Sequence, residues 1–166
     1  MMLGVVVSLV GVRWANAQPS DRVAVEVEAV ALRALFLQRE QGSGLTLYVG
    51  PAAQALALRD TLPEGFMLSA VPAAALELPV TAVTPTLLAR HFREHPDAWR
   101  AWYARYPGTA GIVERTAPVV RGDSATMIIA RTCGEHCQQA WIVGLVRDAE
   151  RRWRVGTLER YPLAPW

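Results

Sequence analysis

The spacing of apolar and polar positions divides the chain into a helical first half and a strand-forming last third. From residue 23 to residue 35, apolar side chains recur every three or four positions. This spacing predicts an amphipathic helix, which Ser20 or Asp21 can cap. A short β-like run follows at residues 45–49, and residues 52–62 favour a second, weaker helix.

The middle of the chain combines a proline-rich stretch with helical spacing. Residues 63–85 are apolar but contain four prolines, which favours packing against the core without a long helix. Thr84-Pro85 then predicts a helix start, because proline at the first helical position has no N–H to leave unpaired. Beyond Pro96 the helical spacing resumes as a stripe of four aromatic residues: Trp99, Trp102, Tyr103 and Tyr106.

From residue 111 onwards the period changes to that of β-strands. Apolar segments at 111–120, 125–131, 140–147 and 152–161 are separated by short turns. Strands joined by short turns pair antiparallel. The segment at 140–147 is apolar on both faces, so we expect it in the interior of the sheet, whereas the last segment alternates arginine with apolar residues, as a strand with one solvated face does.

Together these patterns predict an α+β fold. We expect the N-terminal and central helices to pack on one face of an antiparallel sheet of about four strands, the last three of which form a C-terminal β-meander. Residues 18–166 are numerous enough to bury one hydrophobic core, so a single domain is expected.

The first 17 residues have the pattern of a secretory signal peptide. An apolar run of about ten residues precedes Ala15-Asn16-Ala17, whose small side chains suit signal peptidase. Such a run is roughly half as long as a membrane-spanning helix. We therefore expect cleavage before Gln18 and a periplasmic or secreted protein, with no stable membrane insertion afterwards.

The charge pattern narrows the range of partners. The formal net charge is +2, from 17 basic residues, all of them arginine, and 15 acidic residues, and neither sign occurs in blocks. Nucleic-acid channels and polybasic membrane patches need clustered cations. We expect no nucleic-acid partner, and the identity of the true partner stays open.

The only two cysteines flank the tripeptide Gly-Glu-His between two predicted strands. In an oxidising compartment, Cys133 and Cys137 are expected to form a disulfide that clips the hairpin. One alternative is a copper or zinc site made by Cys133, His136 and Cys137, since thiolates and imidazole suit both metals. A redox-active pair is a third reading, although such pairs usually have the spacing C-x-x-C near a helix start.

Residues 91–95 match H-x-x-E-H, the inverted zinc-peptidase motif. On a helix, His91 and His95 share a face and can bind one zinc ion, with Glu94 as the base for a bound water. Pro96 follows directly and disfavours helical geometry at His95. We therefore expect the two rings to diverge or to lie on an open helix face, with Glu94 solvated. A third ligand would have to come from one of three distant residues: Glu114, Glu135 or Glu159.

The aromatic stripe has two interpretations. On the surface, Trp99, Trp102, Tyr103 and Tyr106 could stack on sugar rings. Large aromatic residues at helical spacing more often fill a core, so we expect burial, with Trp102 at its centre.

A longer motif suggests a family. The pattern W-x-x-W-Y-x-x-Y-P-G-T-x-G begins at Trp99, and C-G-x-x-C and a strand closing on Trp153 follow it. Over residues 99–155 the chain resembles a family of uncharacterised exported bacterial proteins. His136 and Gln138 stand where that family tends to have leucine and glycine, and Arg152 replaces a glycine. The resemblance implies export and architecture, and no activity comes with it.

The sequence thus favours an exported, non-catalytic binding or interaction domain with a disulfide-clipped hairpin and an unknown partner. No cofactor is expected for such a domain. The first alternative is a zinc-dependent hydrolase that uses His91, Glu94 and His95. The second is a copper- or zinc-binding protein that uses Cys133, His136 and Cys137.

Overall fold

A computed structural model describes residues 21–37 and 44–163. Three α-helices lie in these ranges: α1 (Asp21–Phe36), α2 (Pro85–Glu94) and α3 (Ala98–Arg105). The strands are β1 (Leu45–Tyr48), β2 (Val80–Val83), β3 (Ile112–Arg115), β4 (Val119–Arg121), β5 (Ser124–Gly134), β6 (Cys137–Arg147) and β7 (Trp153–Arg160). No helix in this part of the chain is long and apolar enough to cross a membrane. The predicted signal peptide lies outside the described residues.

The strands form one mixed sheet with the spatial order β2-β1-β3-β5-β6-β7. β1 runs parallel to both β2 and β3, and every other pair is antiparallel. β4 pairs with the same edge of β5 as β3 does, further along the strand. The predicted meander of the last three strands is confirmed, with β6 in the interior of the sheet as expected.

The predicted sheet of about four antiparallel strands is wrong in size and in direction. The parallel pair of β1 and β2 was missed because β2 lies in the proline-rich stretch, where local spacing gives no strand signal. The single strand expected at 111–120 is divided into β3 and β4. Pro118 lies between them, and it lacks the N–H that an unbroken ladder would need.

Both faces of the sheet are covered, so the expectation of helices on one face is also wrong. Neighbouring residues on a strand point to opposite faces. Val113 accordingly packs in the cluster that contains Leu32 of α1, whereas Ile112 packs in the cluster that contains Leu88 of α2 and Trp102 of α3. Residues 57–68 contribute to a third cluster, which covers β5 and β6 on the α2–α3 side.

The ends of α2 and α3 follow the sequence signals. The Thr84 side chain accepts the N–H of Leu87 at 3.3 Å, and Pro85 occupies the first position of α2, as predicted. The helix stops at Glu94, and His95 has an extended backbone, as its place before proline favours. Asp97 then caps α3 by accepting the N–H of Arg100 at 3.2 Å.

The weaker helix expected at 52–62 is wrong. A single 3-10 turn spans Ala52–Gln54, Ala55 is extended, and bends and a turn follow up to Thr61. The N–H groups of Leu56, Ala57 and Leu58 donate to the carboxylate of Glu114 on β3, so they are not available for helical hydrogen bonds.

A buried ion pair ties α1 to the sheet. Glu28 of α1 accepts from the Arg115 guanidinium and from the Ser69 hydroxyl, and Arg115 also donates to the Val71 carbonyl at 2.6 Å. Both charged side chains are buried. Because an unpaired buried charge is costly, this pair fixes how α1 sits on β3.

Candidate functional site

The predicted disulfide is confirmed. Cys133 and Cys137 are bonded across the turn between β5 and β6, with their Cα atoms 5.0 Å apart. The Tyr103 hydroxyl of α3 donates to the Cys133 carbonyl at 3.1 Å, which holds the hairpin against the helix. His136 lies on the exposed turn. In the disulfide form, neither cysteine supplies the thiolate that a copper or zinc site with His136 requires.

The H-x-x-E-H residues occupy unlike environments. His91 is buried, at 3% exposure, and its Nε2 lies 2.8 Å from the Ala98 carbonyl oxygen, so Nε2 carries the donated proton. The rings of His91 and His95 lie 4.6 Å apart between centroids. The expectation of divergent rings or an open face is wrong for His91, which packs edge-on against Trp102. Glu94 is exposed, as expected.

The proposed third ligands do not join the histidines. Glu114 is buried under residues 56–58, Glu135 is on the exposed hairpin turn, and Glu159 is on β7. Across residues 21–37 and 44–163, no group of three or more His, Cys, Asp or Glu side chains is placed to hold a metal ion.

The aromatic stripe lies at the junction of α3 with the sheet. Trp102 is fully buried, as predicted for a core residue, and its ring centroid lies 4.6 Å from that of Tyr106. Trp99, Tyr103 and Tyr106 are half-buried. The structure therefore gives these residues no open platform of four stacked rings.

Sequence reasoning missed a different set of side chains, on the α1 side of the sheet beside the cysteine hairpin. We call it the arginine–tryptophan surface, and it consists of Arg131, Gln139, Trp141 and Arg160. Arg131 pairs with Gln139 between β5 and β6, and Trp141 pairs with Arg160 between β6 and β7. Directly opposed residues of an antiparallel pair share a face, so three strands place these side chains together.

Trp141 is the centre of this surface. The guanidinium carbon of Arg131 lies 5.8 Å from the indole centroid, and that of Arg160 lies 5.5 Å away, both within cation–π range. Phe36, at the end of α1, meets the indole edge-on with centroids 6.0 Å apart. Arg131 also donates to the Gln139 side-chain oxygen from Nε at 2.9 Å and from Nη2 at 2.6 Å. The indole and one guanidinium are therefore held in place before any partner arrives.

The charge of this surface is unbalanced. None of the ion pairs among the described residues includes Arg131 or Arg160, whereas the arginines near the β6–β7 turn pair with Asp123, Asp148 and Glu150. The positive charge of Arg131 reaches α3: burial raises the pKa of Tyr103, and the guanidinium opposes part of that rise. The surface thus offers two cations to a negatively charged group.

The sequence holds only a weak signal for this arrangement. In the sequence, Arg160 belongs to the last segment, in which arginine alternates with apolar residues, and Trp141 belongs to the apolar segment at 140–147. Arg131 is ten residues before Trp141, and it becomes its diagonal neighbour only through the β5–β6 register.

A separate groove lies on the opposite side of the sheet, between the 3-10 turn at Ala52–Gln54 and α2. Its volume is about 470 Å³, and its lining is largely apolar, with Leu56, Leu88 and Phe92 among the lining residues. None of the described residues that line it is charged.

Comparisons with models of protein families, with curated proteins and with solved structures gave no match to this chain. The resemblance of residues 99–155 to exported bacterial proteins stays a prediction from their motif.

Proposed function

We propose that this protein is an exported, non-catalytic binding domain that recognises an anionic partner through the arginine–tryptophan surface. The observation that carries the proposal is the pair of guanidinium groups over one half-buried indole. Neither guanidinium group has a carboxylate partner in the described part of the chain. Arginine and tryptophan are enriched at the energetic centres of binding surfaces. The guanidinium fork suits carboxylate, phosphate and other oxyanions.

The export part of the proposal rests on two supports. Disulfides persist in oxidising compartments, and Cys133–Cys137 is such a bond. The leader pattern of residues 1–17 is the second support. Mass spectrometry of protein recovered from the producing cell should find Gln18 at the N-terminus, and an intact Met1 on a cytosolic pool would contradict export.

Retention on immobilised polyanions tests the binding surface. The wild type should be retained on polyglutamate or polygalacturonate and released by salt, because exposed charge pairs are screened. The double variant Arg131→Gln/Arg160→Gln should lose this retention. The control Arg90→Gln/Arg154→Gln removes the same charge from two exposed positions elsewhere and should be retained. An equal loss of retention in both double variants would show that net charge alone causes the retention.

A second candidate is a divalent metal ion at His91 and His95. It is favoured by the 4.6 Å distance between the ring centroids and by the buried Nδ1 of His91, which has no hydrogen-bond partner within residues 21–37 and 44–163. Metal analysis together with free-thiol counting separates the candidates. Stoichiometric metal without free thiols favours the histidines, and metal with two free thiols favours the cysteine loop. If the purified protein contains no metal, the non-catalytic binding domain remains the favoured function.

A further inference from the structure

β7 borders the arginine–tryptophan surface and forms one edge of the sheet. It pairs with β6 on one side, and no other strand of the described residues pairs with it. A free strand edge can accept an extended peptide as an additional strand. A register shift interrupts the ladder between Val155 and Thr157, and residues 157–160 then pair regularly with β6.

The ladder determines which main-chain groups face the open edge. The Tyr161 N–H donates to the Ala140 carbonyl at 2.9 Å, so Tyr161 faces β6. Main-chain groups alternate in direction along an antiparallel strand. Glu159 therefore also faces β6, whereas Leu158 and Arg160 direct their N–H and C=O groups outward.

The same two residues carry side chains on the face of the arginine–tryptophan surface. Leu158 pairs with Val143, which packs in the α1 cluster, and it remains 50% exposed. Arg160 lies over Trp141. Main-chain donors and acceptors, an apolar side chain and a cation thus meet at one short stretch of edge.

We infer that the partner is an extended peptide that adds as an antiparallel strand along residues 157–160 and places a carboxylate on Arg160. This inference rests on the proposed function, because it assigns the partner of the same surface. Side chains two apart on a strand share a face, so an apolar side chain of the peptide lies beside Leu158. Antiparallel pairing fixes the order of the recognised segment, from N to C, as acidic, any residue, apolar.

A polyanionic saccharide is the competing occupant, and it has no peptide main chain to continue the ladder. The probe is therefore an acetylated and amidated heptapeptide, Thr-Thr-Glu-Thr-Val-Thr-Thr. Its matched control is Thr-Thr-Val-Thr-Glu-Thr-Thr, which has the same composition and charge in the opposite order.

Amide hydrogen exchange followed residue by residue by NMR is the measurement. In the free protein, the amides of Leu158 and Arg160 should exchange faster than those of Thr157 and Glu159. The probe peptide should slow exchange at Leu158 and Arg160 only. The control peptide and the Arg160→Gln variant should each weaken binding by about fivefold, the upper range for one exposed charge pair.

Two substitutions at one position separate the main chain from the side chain. Leu158→Pro removes an N–H that β6 does not use, so proline is tolerated there and the slowing should disappear. Leu158→Ala keeps the N–H, so the probe peptide should still slow amide exchange at this position. The exchange pattern of the wild type tests the inference by itself should the proline variant fail to fold.

Three outcomes would overturn the inference. One is peptide binding that slows neither outward amide. Another is protection of the Leu158 and Arg160 amides in the absence of peptide. If this protection increased with protein concentration, the occupant of the edge would be a second copy of the chain. The third is retention on polygalacturonate without any peptide binding, which would leave the proposed anion binding intact. Failure of both the saccharide and the peptide would overturn the proposed function itself.

Discussion

At the scale of single residues, Glu114 determines the local structure of residues 56–58. Its side chain is fully buried, and its carboxylate accepts the N–H groups of Leu56, Ala57 and Leu58, the latter two at 2.9 Å. Burial raises the pKa of Glu114, and these N–H groups oppose part of that rise. One carboxylate thereby organises a segment that its own sequence would make helical.

The raised pKa of Glu114 predicts a pH dependence. Between its ordinary value of 4.5 and the higher folded-state pKa, the folded protein holds a proton that the unfolded chain has released. The contribution of Glu114 to stability is therefore present below pH 4.5 and declines as pH rises through the folded-state pKa. In urea unfolding, the free energy of the wild type relative to Glu114→Gln should fall over that range. A matched control is Glu64→Gln, at an exposed position outside the ion pairs of the described residues. A difference for Glu114→Gln that does not change with pH would contradict this explanation.

Trp102 tests the interpretation of the aromatic stripe. Because its side chain is fully buried, Trp102→Ala should lower the free energy of unfolding by about 3 to 5 kcal/mol. The half-buried Trp99→Ala should cost less in the same denaturation experiment. A fully stable Trp102→Ala protein that had lost affinity for a glycan would instead show that the stripe is a binding platform.

At the scale of elements, the sequence predicted those features that depend on residues close together along the chain. The period of α1, the Thr84-Pro85 start of α2 and the alternation in the last strands are local signals, and the structure contains all three. The parallel pairing of β1 with β2 joins segments more than thirty residues apart, which no local pattern encodes. The error at residues 52–62 has the same origin, since the competing acceptor is a distant carboxylate.

The disulfide is a covalent link between β5 and β6. It closes a very short loop, so replacing Cys133 and Cys137 by serine should lower stability by about 2 kcal/mol and leave the fold intact, according to the chain-entropy relation. Thermal or urea unfolding of the double variant measures the loss. Thiol titration of the native, non-reduced protein should find no reactive sulfhydryl, and two reactive groups would contradict the structural role.

At the scale of the whole molecule, the candidate site is a product of sheet register. Arg131, Trp141 and Arg160 come from three strands and meet only when β5, β6 and β7 pair in the observed alignment. The sequence motifs that attracted a chemical interpretation were contiguous. The short motif around Cys133 and Cys137 was enough to predict the disulfide correctly. The motif around His91 and His95 does not contain a third metal ligand, and the fold does not supply one from the described residues. Residues that are distant along the chain need the fold before they can be grouped.

NMR mapping of an anion titration shows directly whether the arginine–tryptophan surface binds anions. On addition of polyglutamate, the largest shifts should occur at the Nε–H signals of Arg131, Arg160 and the Trp141 indole, and they should reverse with added salt. Shifts confined to the apolar groove, at Leu56, Leu88 and Phe92, or spread evenly over all exposed arginines, would contradict it.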